Sequence, residues 1–208
     1  MKLPTKQRLE QFFFFPIALL CALGVGLFLH HNRQQRQQSH YAEQQAIFAT
    51  AYNAAIHSYR LAMESFFDTT LNTPQTLALF QQGIDGQENE RSLLRGRLYR
   101  HLFGAYESMK RQNLLQFHFH LADGTSYLRF HQPEQYGDPL FAARPSVRLC
   151  NTEKRVIQGM ELGKIRSGFR YVFPLSLQDR HLGSVEVSVT FKSILEALNN
   201  LAPGKEYG

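Results

Sequence analysis

The sequence predicts an α+β domain, with long helices first and a five-stranded antiparallel sheet after them, preceded by one transmembrane helix. Three observations lead there. An uncharged apolar run lies near the N-terminus, apolar residues then recur at steps of three and four, and from residue 115 the period falls to two. Helices in one stretch and strands in the next mark an α+β arrangement.

The apolar run is Phe12 to Leu29, 18 residues without a charge. As a helix it spans roughly 27 Å, close to the hydrocarbon thickness of a bilayer. Pro16 is expected in the first turn, where a missing amide costs little. No A-x-A cleavage site follows Leu29, only His30-His31-Asn32-Arg33, and bulky Leu20 precedes Cys21 where a lipoprotein site needs a small residue. An uncleaved anchor is therefore expected. Lys2, Lys6 and Arg8 precede the run and Arg33 and Arg36 follow it, which places the N-terminus in the cytoplasm. The division that follows is a tail over 1–11, a span over 12–29, an extracytoplasmic domain over 30–200 and the start of a linker or second lobe over 201–208.

Charge excludes one function class. The 208 residues carry 23 Lys+Arg against 17 Asp+Glu, a net +6 and a pI near 9.4. Residues 1–39 hold five of the basic residues against Glu10 alone, so the remainder is nearly balanced. The excess flanks a membrane segment rather than covering a groove, and nucleic acid is not an expected partner. Hydrophobic and aromatic contents of 43% and 12% exclude a disordered chain. Cys21 in the membrane and Cys150 outside it cannot pair. No HExxH, G-x-S-x-G or dinucleotide fingerprint is present. Gly159-x-x-x-Gly163-Lys164 is one residue short of a P-loop and lacks the following Ser/Thr, and reads as a turn. Neither an enzyme nor a cofactor is indicated.

Helical periodicity starts with Ile47, Ala51, Ala55, Tyr59, Ala62 and Phe66 on one stripe, after a Gln-rich lead-in. Thr73-Pro74 caps and opens a short helix that Gly83 is expected to end. Glu88 to Gln112 is a second long helix, striped by Leu94, Leu98, Leu102, Ala105 and Met109. Leu115, Phe117, Phe119 and Leu121 then alternate with Gln116, His118 and His120. Asp123-Gly124 signals a two-residue hairpin turn. Closing it sets Ala122 opposite Thr125, hence Phe119 opposite Leu128 and His118 opposite Arg129. One face then carries Phe117, Phe119, Leu128 and Phe130, the other Gln116, His118, His120, Tyr127, Arg129 and His131. A loop with short helices covers 132–153. Strands follow over 156–162, 168–177 and 182–191, the last with Val185, Val187, Val189 and Phe191 on one face, and Lys192–Asn200 closes as a helix.

The runs Leu128-Arg-Phe-His-Gln-Pro-Glu-Gln-Tyr-Gly-Asp138, Arg144-Pro145, Gly159-Met-Glu161, Gly168-Phe-Arg-Tyr-Val-Phe-Pro-Leu175 and Leu182-Gly-Ser-Val-Glu186 resemble the bacterial double Cache sensor domains. These are PAS-like extracytoplasmic modules of chemoreceptors, sensor kinases and diguanylate cyclases. The resemblance covers roughly residues 40–200. It implies a PAS-like sheet, a long signalling helix, a small-molecule pocket on one sheet face, and N-terminal helices that pair between two subunits. It also implies a second lobe, a returning membrane helix and an output module, so the chain reads as the N-terminal portion of a receptor.

The polar strand face is the candidate site. Arg129 with His118, His120, Tyr127 and His131 offers a guanidinium fork, imidazoles and a phenol toward a carboxylate. The same face would equally serve as the solvated side of a sheet. Asp138 and Arg144 either bind a ligand amine and carboxylate, or cap the next helix and pair with each other. Glu161, Arg170 and Glu186 are charges in otherwise apolar strands, able to pair inside the fold or to reach the pocket. A metal held by His118, His120 and His131 is geometrically allowed, without a carboxylate at ligand spacing to complete it. The expected protein is a membrane-anchored sensor of a small organic carboxylate or amine, or alternatively an anchored interaction or dimerisation module that senses nothing.

Overall fold

The computed structural model describes residues 5–112, 114–162 and 167–201, in two compact units divided between Thr50 and Ala51. The expected turn at Gly163-Lys164 and the segment 202–208 lie outside the described residues. Helix α1 (Thr5–Phe66) supplies the first unit. Its apolar side chains from Phe14 to Leu29 are exposed, and it is the one helix among the described residues long and apolar enough to cross a membrane. Pro16 lies inside this helix rather than in its first turn, because the helix already starts at Thr5. The bond its amide would make to the carbonyl of Phe12 is lost.

In the second unit the last turns of α1 run into a π-helical turn, Phe67–Leu71, followed by α2 (Pro74–Asp85) and α3 (Glu88–Lys110). Next come β1 (Leu114–Leu121), β2 (Ser126–Arg129), α4 (Pro145–Glu153), β3 (Ile157–Glu161), β4 (Gly168–Leu177), β5 (Arg180–Thr190) and α5 (Phe191–Leu201). The five strands form one antiparallel sheet in the order β2-β1-β5-β4-β3.

Local chemistry sets the helix ends. Thr73 Oγ1 accepts the amide of Thr76 at 3.3 Å and Pro74 takes the first helical position. Gly83 does not end α2; the chain leaves the helix at Gly86. Glycine is needed at 83 for space, since a Cβ there would stand 1.8 Å from the Tyr127 hydroxyl. The α1 stripe runs Ala51, Ala55, Tyr59, Met63 and Phe66, while Ala62 faces solvent and Ile47 is 38% exposed. Steps of four through Met63 hold one face, and Ala62 falls off it. On α3 the buried positions are Leu98, Leu102, Tyr106 and Met109.

These helices cover one sheet face. Phe117, Phe119, Leu128 and Phe130 lie there as expected, with Phe169, Tyr171, Phe173, Val185, Val187 and Val189. Phe117 stacks on Phe130 at 4.2 Å, Phe80 meets Phe119 edge-on at 5.3 Å, and Phe67 stacks on Phe173 at 4.5 Å. Phe191 does not extend the β5 face. Thr190 Oγ1 accepts the amide of Ser193 at 3.0 Å, which caps α5, ends the strand and leaves Phe191 exposed.

The hairpin has the expected pairs His118–Arg129 and Phe119–Leu128, but a different turn. The amide of Leu121 donates to the Thr125 carbonyl and that of Gly124 to the Leu121 carbonyl, each at 2.9 Å. Ala122, Asp123 and Gly124 therefore form a three-residue loop, with Gly124 at φ 82°, where a side chain is strained. The extra loop residue is absorbed by a bulge at Tyr127, so His120 pairs with Ser126.

Candidate functional site

Strand alternation brings Gln116, His118 and His120 of β1, Arg170 of β4 and Ser184, Glu186 and Ser188 of β5 to the second sheet face. This face is not solvated. His118, His120, Arg170, Ser184, Glu186 and Ser188 are all buried, beneath the loop 130–144 and α4. Val147 and Cys150 of α4 are fully buried, and the Cys150 thiol donates to the Val172 carbonyl at 3.5 Å. Burial pushes that thiol up to about 12, so it is inert.

Arg170 is the centre of the face. Its Nη1 donates to Gln116 Oε1 at 2.7 Å and to Glu186, while its Nε lies 3.1 Å from Glu161 Oε1 without hydrogen-bond alignment. Glu161 Oε2 accepts the amide of Ser146 at 2.9 Å, at the N-terminus of α4, and Oε1 sits 3.6 Å from Arg144. Glu161, Arg170 and Glu186 thus pair inside the fold, one of the two uses the sequence allowed. Arg170 Nη2, Arg144 Nη1, Ser146 Oγ and Ser188 Oγ are buried without hydrogen-bond partners.

Arg129 does not offer an open fork. It donates to both Asp138 oxygens, at 2.8 and 2.7 Å, and to the Gln135 carbonyl at 2.7 Å. A bridge between Thr125 and Pro139 folds the loop back and delivers Asp138 to it. Asp138 therefore neither caps α4, which starts after Arg144, nor pairs with Arg144. The Arg129 hydrogen bonds hold the Asp138 carboxyl below its ordinary range.

The imidazoles lie side by side, 4.2 Å between ring centres. His118 Nε2 is 2.8 Å from Ser126 Oγ, and His120 Nδ1 is 3.0 Å from Ser184 Oγ, which also accepts from Asn151 at 2.9 Å. Burial lowers both rings, His120 to about 3, and the charges of Arg129 and Arg144 act in the same direction on each. Both are neutral at physiological pH. His131 is exposed in the turn after β2.

Tyr127 is taken to the opposite face of the sheet. The bulge turns it into the apolar core, 5.1 Å from Phe80, with the Arg95 guanidinium 5.2 Å over its ring. Sequence reasoning passed over Ser126, Ser146, Asn151 and Ser184. Ser184 was findable, two residues before Glu186 on the same alternation; Ser126 was not, because only the bulge turns it inward. Glu186 stands opposite His118 across β1 and β5, so the third donor beside His118 and His120 is Glu186 rather than His131.

The sheet, its covered polar face and the long N-terminal helix define a sensory module. Residues 88–204 match the family described as the double sensory domain of two-component sensor kinase, and the chain belongs to that double Cache family. The fold is similar to that of the Vibrio cholerae histidine kinase DctB sensor domain (TM-score 0.60, 17% identity, 78% of this chain and 60% of that one). It is also similar to the sensory domain of the Campylobacter jejuni chemoreceptor Tlp3 with isoleucine bound (TM-score 0.51, 16% identity, 81% and 65%). A complex of the Tlp3 ligand-binding domain with L-valine matches at TM-score 0.50 and 15% identity, over 81% and 65%. The chain thus spans 60–65% of these solved domains. No significant match is found among curated proteins. A domain of this family is sensory and not catalytic in itself.

Proposed function

We propose that the chain is the sensing part of a bacterial signal-transduction receptor, anchored in the inner membrane by residues 12–29, with residues 30–200 in the periplasm and the N-terminus cytoplasmic. It binds a small organic ligand carrying a carboxylate, such as an amino acid, between the polar sheet face and the loop 130–144. The observation that carries this reading is the set of buried donors without hydrogen-bond partners: Arg170 Nη2, the hydroxyls of Ser146 and Ser188, and Arg144 Nη1, which has only a 3.6 Å ion-pair contact to Glu161. A buried guanidinium nitrogen without an acceptor is costly, and a carboxylate is its natural complement. The isoleucine and valine complexes of the similar Tlp3 domain support an amino acid as the first class to try.

In this reading His118, His120 and His131 surround the ligand, and the Arg129–Asp138 pair latches the loop over it. Tyr127 belongs to the core. Opening and closing of the loop biases the position of α1, and the helical residues 43–70 pair with those of a second subunit. The test is a thermal-shift screen of the full chain in detergent against amino and organic acids, with Arg144→Gln as the comparison. A compound that raises the wild-type midpoint and raises that of the variant much less is the expected result. An equal rise in both proteins removes Arg144 from the site.

A further inference from the structure

We propose that His118, His120 and Glu186 form a binding site for a transition-metal dication such as Zn2+, buried at the centre of the sheet. Each offers one donor atom, and the three atoms lie within 4.8 Å of one another. Two elements of regular structure place them. Alternation puts His118 and His120 on one face of β1, and the β1–β5 register sets Glu186 opposite His118. Zinc bonds of about 2.0–2.2 Å in tetrahedral geometry put donors about 3.4 Å apart, so closing the site takes side-chain movements of about an ångström.

An independent observation points the same way. His120 is fully buried, its Nδ1 is held by Ser184, and its Nε2 has no hydrogen-bond partner. With Nδ1–H donating to Ser184 Oγ, Nε2 carries a buried lone pair that no donor satisfies and that a metal would take up. Asn151 donates to the same hydroxyl from α4 and fixes its position. Such outer partners orient the histidine ligands of metal sites. Glu186 holds Arg170 through Oε1, and a carboxylate has lone pairs enough to bind a guanidinium and a metal together.

The surrounding charge selects the kind of metal. Arg129, Arg144 and Arg170 are balanced by Asp138, Glu161 and Glu186, so the surrounding charge offers a cation no net attraction. Mg2+ and Ca2+, held by charge and oxygen ligands, gain too little here. Zn2+, Cu2+ and Ni2+ bond imidazole nitrogen directly.

The site shares His118 and His120 with the lining of the organic-ligand reading, but it is tested with the metal alone and without any organic compound, so the two proposals fail separately. The full chain, purified in detergent through a histidine-free tag and stripped with chelator, is titrated calorimetrically with Zn2+ alone. One tight site per chain is expected, lost in His120→Gln and Glu186→Gln and weakened about 10–100-fold in Ser184→Ala. X-ray absorption of the zinc-loaded wild type, which requires no variant to fold, should show two imidazoles in a nitrogen and oxygen shell. The proposal is overturned by a wild type with no one-equivalent site, by fewer than two imidazoles on the zinc, or by undiminished binding in variants whose circular dichroism shows them folded.

Discussion

Tyr127 and Asp138 separate packing from recognition at the level of single residues. The Tyr127 hydroxyl is buried without a hydrogen-bond partner and its ionisation is pushed up to about 12 by burial. Removing an unsatisfied buried hydroxyl relieves a desolvation cost, so Tyr127→Phe should leave stability unchanged or raise it by up to about 1 kcal/mol. Urea midpoints check this, and a clear loss would mean that the hydroxyl has a partner in solution. Asp138 behaves oppositely. Arg129 lowers its folded pKa, so its contribution is present above the unfolded value of about 3.9 and is lost as pH falls through the lower folded value. The carboxylate is half exposed, and Asp138→Asn should cost less than about 1 kcal/mol at pH 7. The gap between variant and wild type should close as pH drops below about 4, read from denaturant unfolding at each pH. A gap that stays constant would show that Asp138 acts without its charge.

At the level of elements, α2 meets the hairpin most tightly where Gly83 faces Tyr127. Alanine is the better helix former by about 1 kcal/mol, yet Gly83→Ala should destabilise by about 1–3 kcal/mol because its Cβ collides with a buried ring. Combined with Tyr127→Phe the loss should shrink, and full additivity would place the strain elsewhere. The strand network makes a larger demand: Arg170→Met strands Glu186 and Glu161 and should cost about 3–5 kcal/mol in thermal or urea unfolding. These elements also mark what the sequence made legible. The pairing of His118 with Arg129 came from closing Asp123-Gly124 as a two-residue turn; the loop is one residue longer, and the bulge at Tyr127 restores the same register. The side of the sheet that Glu186 takes followed from strand alternation. The turn length did not follow, since Asp-Gly fits a two-residue or a three-residue loop, and that one residue decided where Tyr127 and Ser126 point. Nor could strand patterns show that the polar face would be covered. That depends on the Thr125–Pro139 bridge and on α4, both set by contacts distant in sequence.

For the whole molecule the decisive property is the fate of residues 12–29. Every apolar side chain described there is exposed, an arrangement that water penalises heavily and a bilayer favours. Two outcomes fit such a helix, an anchor that stays and a leader that is removed, and the proposed anchor rests on the flanking residues. Polar His30, His31 and Asn32 follow the run, with Arg33 beyond, and no small-residue site lies between. The chain expressed in a bacterial host should therefore remain in carbonate-washed membranes, with an intact mass that still includes residues 1–29. Lys2, Lys6 and Arg8 against Arg33 and Arg36 give a small bias toward a cytoplasmic N-terminus. A reporter joined after residue 200 should accordingly be active as alkaline phosphatase and inactive as β-galactosidase. Replacing Lys6 and Arg8 with glutamine should reduce that phosphatase signal, because the excess of positive charge on the N-terminal side is then removed. A soluble product shortened by about 30 residues would instead identify the run as a cleaved leader.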